Sequence, residues 1–248
     1  MSYGRFAYVY DFLMSEVPYD KWINLFISKK EQYNINGSKV LDVACGTGEF
    51  SVRLAQKGYT VTGIDLSDEM LAIAKAKADQ YGVTIPFYQQ NMIELDTGNQ
   101  YDSIVIFCDS LNYLHSETDV QSTFQRVYEQ LQPGGLFMFD VHSVFKMEHV
   151  FAGQTFADVQ DEVSYIWNSF EGPEPFSVEH ELTFFVKEEA SDQYDRFDED
   201  HYQRTYDVET YIAWLKEAGF TVKEILADLE DQEPAEDSER ILFVAIKE

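Results

Sequence analysis

The chain has 248 residues, enough for one large domain or for one domain with a modest insertion, and its 45% hydrophobic content is ordinary for a globular protein. Against 18 Lys and Arg stand 45 Asp and Glu, a formal charge of −27 that repels phosphate backbones and anionic lipid. With no basic patch to offset that charge, RNA or DNA is disfavoured as a partner and a small-molecule substrate is expected.

No run approaches the roughly 18 apolar residues of a membrane span. The first ten residues lack a basic stretch leading into an apolar block, so no secretory leader is expected and the protein is placed in the cytoplasm. The two cysteines, Cys45 and Cys108, make no disulfide framework. No Cys-x-x-Cys or His-x-x-x-His spacing occurs, so no metal site is expected.

Residues 1–36 form an aromatic-rich lead-in (Tyr3, Phe6, Tyr8, Tyr10, Phe12). A helical stripe of Trp22, Ile23, Leu25 and Phe26 follows. Lys39–Phe50, K-V-L-D-V-A-C-G-T-G-E-F, reads as a buried strand, a tight glycine turn and the start of a helix that runs to Lys57. A Cβ at Gly46 or Gly48 would bar a positive-φ turn or keep the backbone away from a ligand. Tyr59–Asp65 is a second strand ending in an acid. Asp65 stands 19 residues after Gly46, near the spacing at which a carboxylate reaches a ribose hydroxyl.

The position of a third fingerprint glycine is Ser51, and an acid, Asp42, precedes the turn. Ser67 caps a helix Asp68–Gln80, whose inward face includes Met70 and Ala74. Ile85–Gln89 is a short strand that Pro86 confines to an edge. Tyr101–Phe107, nearly all apolar, is a central strand. It opens into Cys108, Asp109, Asn112, Tyr113 and His115 at its carboxyl end, where open α/β sheets hold ligands. Ser116 and Asp119 form a capping box for Glu117–Gln130. A Pro133-Gly134-Gly135 turn leads to strand Leu136–Val141.

Residues 142–204 differ in character, with 12 aromatics and 15 acids against four basic residues. Alternation over Val163–Phe170 and Ser177–Val186, and a third run Tyr194–Thr205, read as an inserted antiparallel β-unit. Asp207 then caps a helix Val208–Ala218, and strands Phe220–Leu226 and Ile241–Lys247 close the sheet.

D-V-A-C-G-T-G, then G-I-D-L-S, then L-Q-P-G-G at Leu131–Gly135, resembles the class I S-adenosylmethionine-dependent methyltransferases. The resemblance covers residues 38–140 well and 205–248 moderately. It implies an α/β fold with a Rossmann-like seven-stranded sheet, its last strand antiparallel. That core is residues 37–141 and 205–248, with 1–36 a lead-in of lid helices and 142–204 a β-rich substrate lid.

It also implies S-adenosyl-L-methionine as cofactor and S-adenosyl-L-homocysteine as product. The cofactor-binding positions it picks out are Tyr10 (Tyr3 less so), Asp42, Ala44, Gly46, Gly48, Asp65, Leu66, Met70, Asn91, Met92, Cys108, Asp109 and Asn112. Asn91 stands where the family often has an acid that accepts from the adenine amine. Its amide oxygen can accept the same bond. Leu66 and Met92 serve as apolar plates against the ring.

Because the sulfonium activates its own methyl, the protein needs only to align a nucleophile, exclude water and remove a proton. His142 and His201 are the leading candidate bases, with Tyr206 beside them. Tyr113, His115 and Arg204 are candidate substrate contacts, Arg204 as a clamp for a substrate anion. A nicotinamide oxidoreductase, a non-catalytic cofactor-binding or interaction module, and a tRNA-modifying methyltransferase remain as alternatives.

Overall fold

The computed structural model describes residues 3–14, 17–188 and 193–248, without the side chains of residues 3–6 and 8. Tyr3 as a cofactor contact therefore lies outside the described side chains. Two helices, α1 (Tyr3–Leu13) and α2 (Tyr19–Gln32), precede the sheet. Strands β1 (Lys39–Val43), β2 (Thr60–Asp65), β3 (Phe87–Gln89) and β4 (Tyr101–Ile106) alternate with α3 (Glu49–Gln56), α4 (Asp68–Gln80) and α5 (Glu117–Gln130). β5 (Leu131–His142) runs into the second unit. α6 (Val208–Glu217), β10 (Phe220–Ala227) and β11 (Arg240–Lys247) return to the first.

The seven strands lie in the order β10-β11-β5-β4-β1-β2-β3, with β11 antiparallel to both neighbours. This is the expected α/β class and the expected terminal hairpin. β1 and β4 are buried on both faces, as their apolar runs require, and β3 is an edge strand. The caps are where the sequence puts them: Ser67, Ser116 and Asp207 each accept the backbone N–H three residues on. The order reverses at β1/β4, so their carboxyl ends open a crevice.

β5 begins earlier than expected. Leu131 already pairs with Tyr101, and the Gly134–Gly135 stretch absorbs a register slip rather than forming a free turn. The second unit is a four-stranded antiparallel sheet ordered β6-β7-β8-β9: Thr155–Val159, Val163–Glu171, Ser177–Lys187 and Tyr194–Arg204. The edge strand β6 and a π-helical turn at Lys146–Phe151 have no counterpart in the sequence reading. Five residues of β6 give too short an alternation to separate from loop. Among the described residues no helix is long and apolar enough to cross a membrane.

Candidate active site

The glycine turn sits between the carboxyl ends of β1 and β4, roofed by α1 and α2. Tyr10, Tyr19, Asp42, Ala44, Gly46 and Cys108 line one crevice there. The backbone is left-handed at Ala44 (φ 57), Gly46 (φ 53) and Gly48 (φ 75). Among the described residues, apart from its chain neighbours, only the Tyr10 ring comes within 4 Å of where a Cβ on Gly46 would stand, at 3.9 Å. At Gly48 a Cβ would lie 2.9 Å from the Ala74 Cβ, so that glycine lets α3 pack on α4.

Asp65 fastens the turn. Its carboxylate accepts from Gly46 N at 2.8 Å and from Ser67 N at 2.9 Å. Burial raises its pKa, and those backbone donors oppose the rise. Asp42, buried beneath the turn, accepts from Ser51 Oγ at 2.5 Å. Burial pushes its pKa up to about 7, with the Ser51 bond working against it and the Asp65 charge adding to it. α1 is latched over the turn by Asp11, which accepts from Thr47 Oγ1 and pairs with Lys77 at 2.8 Å.

A second constellation lies at the ends of β4 and β5. Cys108 and Asp109 are consecutive left-handed residues, φ 55 and 51, a costly backbone for non-glycine. Asp140 holds them there, accepting from Cys108 N at 2.9 Å and Asp109 N at 3.0 Å. Asp140 also accepts from Trp22 Nε1 at 2.9 Å and from the Arg240 guanidinium. Arg240 donates its other arm to Asp109 Oδ1 at 2.9 Å, and the second Asp109 oxygen lies 3.2 Å from His142 Nε2. Burial favours the neutral acid at Asp109, but His142 and Arg240 face it. With the imidazole neutral, it is the guanidinium that keeps this carboxyl well below the usual range. Burial lowers the His142 pKa, against the pull of Asp109.

A family model described as "Methyltransferase domain" matches residues 40–135. A Geobacillus sp. (strain WCH70) protein bearing the name "Putative methyltransferase" is 54% identical over 248 residues, covering 100% of both chains. "Putative methyltransferase YqeM" of Bacillus subtilis is 49% identical over 252 residues, covering 100% of this chain and 98% of that one. The crystal structure of an S-adenosylmethionine-dependent methyltransferase from Clostridium acetobutylicum superposes with a TM-score of 0.89. It is 29% identical and covers 99% of each chain. This chain is a class I S-adenosylmethionine-dependent methyltransferase.

The methyltransferase has residues that suit its cofactor. Leu66, just past Asp65, is 65% exposed although it is a leucine, an apolar surface beside a polar cradle. Met92 is half-buried, and Asn91 caps the turn Met92–Glu94 by accepting from Ile93 N at 3.2 Å, which leaves its amide further capacity. Two candidates sit differently from expectation. Met70 is packed against Ala7 and Val9 of α1. Asn112 is fully buried and spends its amide on backbone, donating to Arg204 O at 2.8 Å and accepting from His142 N at 2.9 Å. It fastens β9 to β5.

The remaining candidates gather where the second sheet meets the core. Tyr113 is edge-on to His201 at 5.9 Å, and His115 to Tyr202 at 5.0 Å. Arg204 lies over the Tyr206 ring at 4.7 Å, and Tyr206 packs on Tyr211 and Trp214 of α6. Burial lowers the pKa of His201 and raises that of Tyr206 to about 12.

Four residues of this region escape sequence reasoning: Asp140, Arg240, His180 and Gln203. Arg240 joins the site only because β11 sets it opposite His142 in register, nearly a hundred residues away.

Proposed function

We propose that the methyltransferase transfers the methyl group to a neutral nitrogen or oxygen nucleophile of a small molecule, and that His142 removes the proton. The Asp109–His142 pair is the observation that carries this reading. An ionised carboxylate only accepts, so the imidazole nitrogen facing it holds the hydrogen. The other nitrogen, Nδ1, is then a bare lone pair, buried and without a partner among the described residues. A neutral imidazole held in one tautomer by a carboxylate suits a general base. The charge of −27 favours a small acceptor over a nucleic acid.

When bound, the cofactor supplies a methyl already activated by its sulfonium. Asp65 has lone pairs left for the ribose hydroxyls, and the left-handed residues Ala44, Gly46 and Gly48 would allow close approach. Leu66 and Met92 would flank the adenine, and Asn91 would accept from its amine. Tyr10 would close the mouth with α1, while the charges of Asp42 and Asp109 would favour the cationic end. The β6–β9 sheet, with Tyr113, His115 and Arg204 at its margin, covers the acceptor.

His142→Ala tests this. S-adenosylhomocysteine affinity is expected to stay at the wild-type value while methylation of a metabolite extract by labelled donor slows about 10²- to 10⁴-fold. Wild-type turnover in the variant would remove His142 from the chemistry.

A further inference from the structure

The inner face of the β6–β9 sheet carries polar groups that neither the cofactor cradle nor the Asp109–His142 pair uses. Register sets Ser169 of β7 opposite His180 of β8, and His180 opposite His201 of β9, one row across three strands. Ser169 and His180 are only 1% and 3% exposed. Trp167 lies two residues before Ser169 and so shares its face. The His180 ring is 5.0 Å from Trp167 and 5.1 Å from Phe151. Phe151 is also 5.1 Å from His142. Two imidazoles from different sheets thus flank one phenyl ring.

Their proton positions follow from a chain of partners. Gln203 Nε2 donates to Asp109 Oδ2 at 2.9 Å, so the amide oxygen is the end that faces His180 Nε2, at 3.3 Å. An amide oxygen only accepts, which puts the His180 hydrogen on Nε2. Its Nδ1 is then a second bare lone pair, buried and without a partner among the described residues, as at His142. The Trp167 indole N–H and the Ser169 hydroxyl are buried and unpartnered as well. Unpaired buried polar atoms are costly, and four around one aromatic cluster mark a place where the partner arrives with a ligand.

An occupant that partners both bare nitrogens has to donate twice. A carboxylate or a phosphate-monoester dianion has no proton to give, and an alcohol has one, whereas a primary amine has enough for both. The fixed charges point the same way. Asp109, Asp140 and Glu239 outnumber Arg240 and Lys146 (which lies over the Phe151 ring and pairs with Glu239) by one, so with neutral imidazoles the site is net negative and favours an entering ammonium. Trp167 N–H and the Ser169 hydroxyl suit an oxygen beside that nitrogen.

Resting on the reading of His142 as the base, we infer that this wall is the acceptor site, that His180 Nδ1 and Trp167 Nε1 touch the substrate, and that the substrate is a primary amine with a neighbouring hydroxyl. The ammonium gives one proton to His142 Nδ1 and keeps an N–H on His180. Its freed lone pair forms the bond to the methyl carbon as the carbon–sulfur bond breaks, and that bond's electrons stay on sulfur.

The test is nitrogen NMR of histidine-labelled protein saturated with S-adenosylhomocysteine, titrated with ethanolamine, ethylene glycol or glycolate. His180 and His142 are expected to show hydrogen on Nε2 and a bare Nδ1. Ethanolamine is expected to shift both Nδ1 signals, while the diol and the acid leave them in place. His180→Phe should weaken ethanolamine about tenfold, the loss of roughly one hydrogen bond, with the S-adenosylhomocysteine titration unchanged. Trp167→Phe, which keeps the ring packing, should weaken ethanolamine too.

Hydrogen on His180 Nδ1, a glycolate response equal to that of ethanolamine, no response to any probe, or wild-type ethanolamine binding in both variants would overturn the inference. Should His142 alone carry its hydrogen on Nδ1 while His180 behaves as described, the general-base reading and the choice of an amine fail together, and only the placing of the acceptor at His180 and Trp167 stands.

Discussion

Replacing Asp140 by alanine removes one buried carboxylate from four donors at once: the Trp22 indole, the backbone N–H groups of Cys108 and Asp109, and the Arg240 guanidinium. The side chain is wholly buried, so the four donors lose an acceptor out of reach of bulk solvent. Removing one partner of a buried ion pair costs about 3–5 kcal/mol, and the orphaned N–H groups push Asp140→Ala toward the upper end. At roughly 2–4 °C per kcal/mol for a chain of this size, the melting temperature should fall by about 6–20 °C.

Urea denaturation and scanning calorimetry read this directly. The double variant Asp140→Ala/Arg240→Met should lose less than the two single variants together, because it no longer strands a guanidinium. A loss below about 1 kcal/mol in Asp140→Ala, or strict additivity in the double variant, would refute the claim that Asp140 holds the Cys108–Asp109 turn through buried charge.

Asp42 has a folded-state pKa raised to about 7, so the native state binds the extra proton and the stability contribution falls as pH rises from about 4 to 7. Asp42→Asn should therefore be more stable than the wild type above pH 7 by up to a few kcal/mol and level with it in acid; urea midpoints across that range check the sign. Asp65→Ala removes the acceptor of Gly46 N and Ser67 N, and calorimetric affinity for S-adenosylhomocysteine should fall by about 1–3 kcal/mol. Unchanged affinity would show that the carboxylate does not serve the nucleoside. Gly48→Ala should cost about 2–4 kcal/mol, combining left-handed strain with the Ala74 clash. Gly58→Ala meets nothing within 4 Å and should cost only about 1–2 kcal/mol in the same urea experiment.

Much of this architecture is legible locally. The apolar run at Val40–Val43 followed by Gly46 and Gly48 has one low-cost backbone solution, a buried strand feeding a glycine turn, and β1 and α3 adopt it. The helix caps and the Pro86 edge strand follow from neighbours a few residues apart. The last strand is a continuous apolar run, as a strand buried on both faces requires, and the three longer strands of the second sheet answer to period-two alternation. His142 is a candidate from its place at the end of a strand. Asp109 is a candidate acid for the same reason.

What the chain alone determined, then, is the nucleotide-type crevice and the acids that stand at its mouth, because turn chemistry and strand periodicity act over a handful of bonds. Only the folded state decided that His142 Nε2 faces Asp109 and that Phe151 packs on both His142 and His180. Arg240 reaches Asp109 from the last strand, and Gln203 links Asp109 to His180 across two sheets. Hydrogen-bond direction and buried charge are set by groups distant in sequence, and no spacing rule encodes a partner that register brings in from a hundred residues away.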